Sequence, residues 1–229
     1  MKIGFTGVEL QEGKIKFKDE KLIALERKDK PKKVSPFFAE FIRDEFVHSE
    51  VIVIPEDNIL DLLIHDMEKI ETRLARLTED DEKALMMKCM VNLENEIPLC
   101  EVAFEDDEKS MLKALAPYSF KPVVRLNGNA DVNHIIALAL EKANYMFFYT
   151  SGHQESHAWF VEKDSEIVAC AEKIHTDLAR GFIKADVVRF EDYMNCHNFN
   201  ACRSKGLVQL VDRDYIVQPG EVIEIRFNV

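Results

Sequence analysis

At 229 residues, with 47% hydrophobic and 31% charged side chains, the chain is long enough to bury the cores of two domains or of one large one. A formal charge of −12 excludes a general binder of DNA or RNA that works by neutralising phosphates, although a local basic patch is still allowed. Five cysteines, an odd number at irregular spacings, fit free thiols in a reducing compartment better than a disulfide framework. Residues 1–7 lack the apolar block of a signal peptide, and the longest apolar run, residues 135–140, is too short to span a bilayer. A cytoplasmic protein with no membrane partner is expected.

In chain order, residues 3–6 read as a short strand ending at Gly7. Lys14-Ile15-Lys16-Phe17-Lys18 alternates polar and apolar, and Leu22-Ile23-Ala24-Leu25 is a second short apolar run; together they predict a hairpin with one wet face. Ser35 before Pro36 predicts a helix start, with Phe38, Phe41, Ile42 and Phe46 along one side. Val51-Ile52-Val53-Ile54 predicts a strand buried on both faces. Leu60, Leu63, Met67, Ile70, Leu74 and Leu77 alternate spacings of three and four, the seam of a long helix packed on a partner helix. Thr78-Glu79-Asp80-Asp81 supplies that partner's cap and acidic first turn, and Leu85 and Cys89 belong to its apolar face. Asp106 or Asp107 opens another helix through Leu115, which Pro117 ends. Residues 122–126 form a strand, and Asp131 caps a helix running to about Asn144.

From Tyr145 onward the pattern becomes that of a small sheet. Residues 145–151 and 155–161 are rich in aromatic and β-branched side chains and are joined through Gly152. Ser165 is placed to cap a helix whose apolar positions are Ile167, Ala171, Ile174 and Leu178, with Arg180-Gly181 as a basic last turn and a left-handed stop. Further strands are predicted over 207–211, 215–217 and 222–227, and Pro219-Gly220 fits the centre of a type II turn. A hairpin, one helix and more strands make an α+β sheet with one helix across its face.

The carrying residues of a resemblance lie here: Phe148-Tyr149-Thr150-Ser151-Gly152 before Ala158-Trp159, then Ile174-His175-Thr176-Asp177, then Gly181-Phe182-Ile183-Lys184-Ala185, and at the end Asp214-Tyr215-Ile216-Val217, Gly220 and Arg226-Phe227-Asn228-Val229. This stretch closely resembles the TGS domain that ends the Obg-like ATPases of the YchF group. The element order before it also resembles that group, where a P-loop GTPase-like domain carries an inserted helical hairpin. The resemblance implies an α/β domain, shortened and GTPase-like, over 1–56 and 118–144. It also implies a helical hairpin over 57–117 and a β-grasp TGS domain over 145–229.

The chemistry the family would bring is not written in full. A P-loop is Gly-x-x-x-x-Gly-Lys-Ser/Thr between a strand and a helix, so that backbone N–H groups wrap the phosphates and the hydroxyl holds magnesium. Between Gly7 and Gly13-Lys14 the gap is one residue too long, Ile15 stands where the hydroxyl should be, and Glu9 and Glu12 would repel phosphate. The family's base-reading Asn-x-x-Glu is matched by Asn127 alone, since Ala130 holds the acidic place and Asp131 comes one residue late. An Asn-Gly turn with Asp131 as a helix cap is the plainer reading. The nucleotide-binding candidates are thus Gly7, Gly13, Lys14, Asn127 and Asp131.

Cys196, His197 and Cys202 share one loop and are the metal-ligand candidates, with Cys170 or His175 needed to complete a zinc set. His153, Ser156, His157 and Asp164 show no spacing that fixes a catalytic triad, and residues 101–108 read as a solvated charge run. His175, Arg180, Lys184 and Lys205 are the candidates for a small basic face that meets RNA or a protein partner. The expectation is therefore a non-catalytic regulatory protein that binds a ribosomal, RNA or protein partner through its TGS domain and hairpin, with no resident cofactor. The alternative is a GTP- or ATP-binding protein or NTPase, with magnesium, using an atypical site.

Overall fold

The computed structural model describes every residue except Glu79, Asn129 and Val229. In chain order, β1 (Lys2–Phe5) and β2 (Gly13–Lys16) precede α1 (Glu20–Asp29), β3 (Lys33–Ser35), β4 (Phe38–Arg43) and β5 (Val51–Pro55). Helices α2 (Ile59–Leu74), α3 (Asp80–Glu94) and α4 (Asp106–Leu115) come next, then β6 (Val123–Leu126) and α5 (Val132–Lys142). The remainder is β7 (Tyr145–Ser151), β8 (Glu155–Glu162), α6 (Ile167–Ile174), α7 (Thr176–Arg180), β9 (Phe182–Val188), α8 (Phe190–Met194), α9 (Phe199–Ser204), β10 (Gln209–Val211) and β11 (Val222–Phe227). The fold is mixed α/β, with two sheets in two compact units: Met1–Ile15 with Ala39–Ala143, and Lys16–Phe38 with Asn144–Val229.

The first unit is built on a sheet of order β2-β4-β1-β5-β6, in which β1 runs parallel to β4 and β5, and β5 parallel to β6. Val51 to Ile54 are fully buried, as a central strand covered on both sides requires. Ile52 and Ile54 share a core with Leu62, Leu63 and Ile70 of α2 and with Leu85, Cys89 and Leu93 of α3. The helical hairpin forms, with Leu63 and Ile70 of the predicted seam buried, but Leu60 is exposed and α2 ends at Leu74; the cap at 78–81 includes Glu79, which lies outside the described residues. Asp66, fully buried on α2, accepts the backbone N–H groups of Tyr118 at 2.6 Å and Ser119 at 2.7 Å. A carboxylate thus ties the hairpin to the segment that leads into β6.

The predicted helix after Ser35-Pro36 is instead strand β4. Phe38, Phe41 and Ile42 satisfy a helical period, but β4 pairs with β1, with Phe41 opposite Ile3, and buries Ala39 and Phe41 at alternate positions. Sheet pairing outweighs the local pattern here.

The second unit carries a sheet of order β10-β9-β11-β7-β8-β3. β7 and β8 form the expected hairpin; β11 lies antiparallel to β9 and parallel to β7, and β3 extends the sheet parallel to β8. Successive strand residues face opposite ways, so each strand feeds two cores. Phe148, Val187 and Ile223 pack under α6 and α7, while Tyr149, Val188 and Val222 pack with α1, α8 and α9.

Helix α1 corrects two expectations. Leu22-Ile23-Ala24-Leu25 is helical, not half of a hairpin, because Asp19 caps it by accepting the N–H groups of Lys21 at 3.0 Å and Leu22 at 3.3 Å. Residues 16–38 also lie in the second unit rather than in the N-terminal domain drawn over 1–56. Both ends of α1 carry a carboxylate that receives hydroxyls. Tyr149 donates to Asp19 at 2.8 Å, and Ser151 and Tyr193 donate to Asp29 at 2.6 and 2.9 Å.

The single helix predicted from Ser165 to Arg180 is two. It breaks at His175, whose φ is −165° and whose Nδ1 accepts the N–H of Asp177 at 3.1 Å. Ser165 does not cap; its hydroxyl donates to the Glu162 carbonyl at 2.7 Å. Gly181 is not left-handed, with φ −91°; a Cβ there would run into the backbone oxygen of Asn228, whose N–H donates to the Gly181 carbonyl at 2.9 Å. Gly181→Ala is therefore expected to cost about 2 kcal/mol through overpacking against backbone. Urea unfolding measures it, and an unchanged midpoint would show that the strand end gives way freely. Gly220, at φ +91°, closes the expected type II turn, with the Glu221 N–H donating to Gln218 at 3.3 Å.

Candidate functional site

Parallel pairing brings the carboxyl ends of β1, β4, β5 and β6 to one edge of the first sheet. The chain leaves β1 toward β4 on one side and later reaches β5 on the other, so β1 marks the switch point where open α/β sheets hold ligands. A cavity of about 400 Å³ lies there, against Thr6, Gly7, Asp44, Asn58, Asp61 and His65. Among the described residues two carboxylates line it, and no lysine or arginine does. Asp44 follows β4 in a left-handed turn, φ +54°, with its N–H donating to the Phe5 carbonyl at 2.9 Å. Asp44 and Asp61 were not among the sequence candidates. The helix predicted over this region hid the strand end on which Asp44 sits.

Of those candidates, Gly7 alone contacts the cavity. It turns at φ +67°, and an added Cβ would come within 3.0 Å of Pro55. Gly13 and Lys14 begin β2, the strand at the sheet edge beside β4. The next helix, α1, starts only at Glu20, so no helix N-terminus follows Lys14. Glu12 accepts the backbone N–H of Arg43 at 2.9 Å. Asn127 comes directly after β6, at the carboxyl edge. Asp131 is occupied as the cap of α5, accepting from the N–H groups of Asn133 at 3.0 Å and His134 at 3.3 Å. Asn129, between them, lies outside the described residues.

The metal-ligand candidates do not converge: among the described residues no group of three or more His, Cys, Asp or Glu could hold an ion. Cys196 and Cys202 are buried in the apolar core with Tyr193 and Phe199, whereas His197 is exposed. Burial, with Cys196 beside it, pushes the Cys202 thiol up to about 11, away from the thiolate a metal needs. Cys170 packs on the opposite face of the sheet, where burial raises its thiol to about 12.

The basic candidates also divide. His175 caps α7, which lies on one face of the sheet, and Arg180 ends it; Asp177 pairs with Arg180 at 2.9 Å and lies 3.6 Å from the His175 ring. Lys184 pairs with Asp212, and Lys205, just after α9 on the other face, donates to the Asn195 carbonyl at 3.2 Å. The four do not form one face. His157 stacks on Trp159 at 3.5 Å, Ser156 is buried against Ser151, and Glu101 pairs with Arg125 and Lys142. These are structural contacts rather than a catalytic set.

Three comparisons bear on this arrangement. The family model YchF-GTPase_C, described as "Protein of unknown function (DUF933)", matches residues 145–228. Ribosome-binding ATPase YchF of Bacillus subtilis (strain 168) is 26% identical over 260 residues, covering 82% of this chain and 71% of that protein. Obg-like ATPase 1 of Homo sapiens is 35% identical over 133 residues, 58% of this chain but 31% of that protein. Ribosome-binding ATPase YchF of Haemophilus influenzae is 36% identical over 98 residues, 43% of this chain and 27% of that protein. Among solved structures, the Schizosaccharomyces pombe YchF GTPase superposes with a TM-score of 0.78 at 16% identity, covering 99% of this chain and 97% of that one, a likeness of fold. Among the described residues no helix is long and apolar enough to cross a membrane.

Proposed function

Since this chain belongs to the YchF/Obg-like ATPase family, we propose that it is a non-catalytic member that regulates by binding a ribosomal, RNA or protein partner in the cytoplasm. The observation that carries this reading is the segment from Gly7 to Lys14. A triphosphate is held by backbone N–H groups at a helix N-terminus and by a lysine aimed at the outer phosphates. Here Gly13 and Lys14 belong to a strand, and the cavity at the sheet edge meets its ligand with Asp44 and Asp61. Asp44 and Asp61 are both exposed, so solvent weakens their field, yet with no lysine or arginine among the described lining residues they disfavour a polyphosphate unless a metal ion comes with it. We read the second unit as a TGS-type β-grasp module, extended by α1 and β3, and we read it and the hairpin as the binding parts. Two relatives carry the name ribosome-binding ATPase, which favours the ribosome as the partner to test first.

The hairpin exposes apolar pairs one turn apart: Leu60 and Ile64 on α2, Met87 and Val91 on α3. The chain should cosediment with ribosomes at low salt. Ile64→Lys and Val91→Lys should weaken that association about tenfold while leaving the unfolding midpoint in place, because both positions are exposed. Absence from the ribosomal pellet, and of any partner from a pull-down, would remove the reading's support.

The second reading is a nucleotide-binding protein or NTPase. The relatives' names include ATPase, and Asn127 stands at the carboxyl edge of the sheet, where a base could be read. In that reading a magnesium ion between Asp44, Asp61 and the phosphates would offset the acidic lining.

A further inference from the structure

A second cavity, of about 520 Å³, lies wholly within the second unit. Segments far apart in sequence build it: the start of α1, the end of β9 with α8, and the turn before β11. Lys21 enters from α1. Its ammonium lies 5.1 Å from the centre of the Phe190 ring, and it fills the space that a Cβ on Gly220 would take. Arg189, at the end of β9, supplies the second cation. Among the described residues neither is held in a salt bridge.

The other pole is acidic. Glu221, only 7% exposed, receives the Tyr215 hydroxyl at 2.7 Å and the Gln218 N–H at 2.9 Å. A carboxylate has lone pairs to spare beyond these two donors. Burial raises the Glu221 pKa, against the opposing pull of its two hydrogen bonds and of the Arg189 charge. Glu191 and Asp192 add two more carboxylates to the wall. Two cations and three carboxyls in one concavity match a ligand that itself carries both signs. A phosphate ester would face three carboxyls, and a wholly apolar guest would strip water from charges without replacing it. The volume lies in the range of small-ligand sites, large enough for a dipeptide or a large amino acid.

We propose that this cavity binds a small zwitterion, a free amino acid or dipeptide, with the ligand carboxylate at Lys21 and Arg189 and its ammonium toward Glu221 and Asp192. The site is separate from the sheet-edge cavity and does not depend on the reading given to it. The test is calorimetric titration of the full chain with the twenty free amino acids and a set of glycyl dipeptides, and with adenosine and guanosine monophosphate as controls. Saturable binding of one or a few zwitterions is expected. It should weaken at least about tenfold when the ligand carboxylate is amidated and in Lys21→Met or Arg189→Gln. Three outcomes would overturn the proposal: no zwitterion binding up to about 10 mM, binding of the monophosphates alone, or binding undiminished in both variants. Thermal melts of the two variants, expected to overlay the parent, separate a lost contact from a lost fold.

Discussion

Asp66→Ala is expected to destabilise the first unit by about 3 kcal/mol. The carboxylate is wholly buried on α2, and its two oxygens each take a backbone N–H, from Tyr118 and Ser119. Alanine leaves both donors without a partner, and an unpaired buried N–H costs about 1–3 kcal/mol. Ser119 is itself fully buried, and its hydroxyl accepts the N–H of Leu99 at 3.2 Å, so the loss falls on a segment that also anchors the end of the hairpin. Asp66→Asn keeps one acceptor and should lose about half as much. Chemical denaturation of both variants tests the assignment. A loss under about 1 kcal/mol for the alanine would mean that water or a shifted backbone replaces the carboxylate.

Asp19→Ala is expected to cost a similar amount in the second unit, about 3 kcal/mol. It removes a helix cap and also strands the Tyr149 hydroxyl. Tyr149→Phe, which removes the donor alone, should cost about 1.5 kcal/mol. The two share one contact, so the double variant should lose less than the sum. The pH dependence has a definite sign. Burial is the largest influence on Asp19 and raises its pKa above the ordinary 3.8, outweighing the hydrogen bonds that lower it. Between 3.8 and that raised value the folded chain holds more protons than the unfolded chain at this position. The contribution of Asp19 therefore grows as pH falls through the folded pKa and is complete below 3.8, the reverse of a salt-bridged aspartate. The stability difference between the parent and Asp19→Asn should widen on acidification from neutral pH. A difference that narrows would mean that the hydrogen bonds, not burial, dominate.

The second unit was legible where local pattern and tertiary pairing agree. The alternation of Ile223 and Ile225 with Glu224 and Arg226 is that of β11, and residues 145–162 form the predicted hairpin. The hairpin of α2 and α3 was legible for the same reason, since Leu63, Ile70 and Leu85 need only each other to show their period. What was hidden depends on distant residues. Leu22 and Leu25 suit a helix or a short strand equally; Asp19 and its partner Tyr149, 130 positions away, decide in favour of α1 and place it in the second unit. Likewise Phe41 joins a strand because Ile3 lies opposite it. At Gly181 the local pattern suggests a turn former, but the need for glycine comes from a backbone oxygen at Asn228. Sequence spacing groups the basic candidates but does not reveal that Asp177 pairs with Arg180 and Asp212 with Lys184, nor that α7 and α9 cover opposite faces. At the sheet edge, the run from Gly7 to Lys14 was legible as an imperfect phosphate loop, whereas the acidic lining by Asp44 and Asp61 required the fold.

We propose that the chain binds partners and does not use nucleotide, and calorimetric titration with ATP and with GTP in the presence of magnesium tests this. No saturable heat is expected for either nucleotide up to about 1 mM, which corresponds to binding weaker than about −4 kcal/mol. Saturable binding in the micromolar range, abolished by Asp44→Ala, would contradict it. That result would make the sheet-edge cavity a magnesium-dependent nucleotide site.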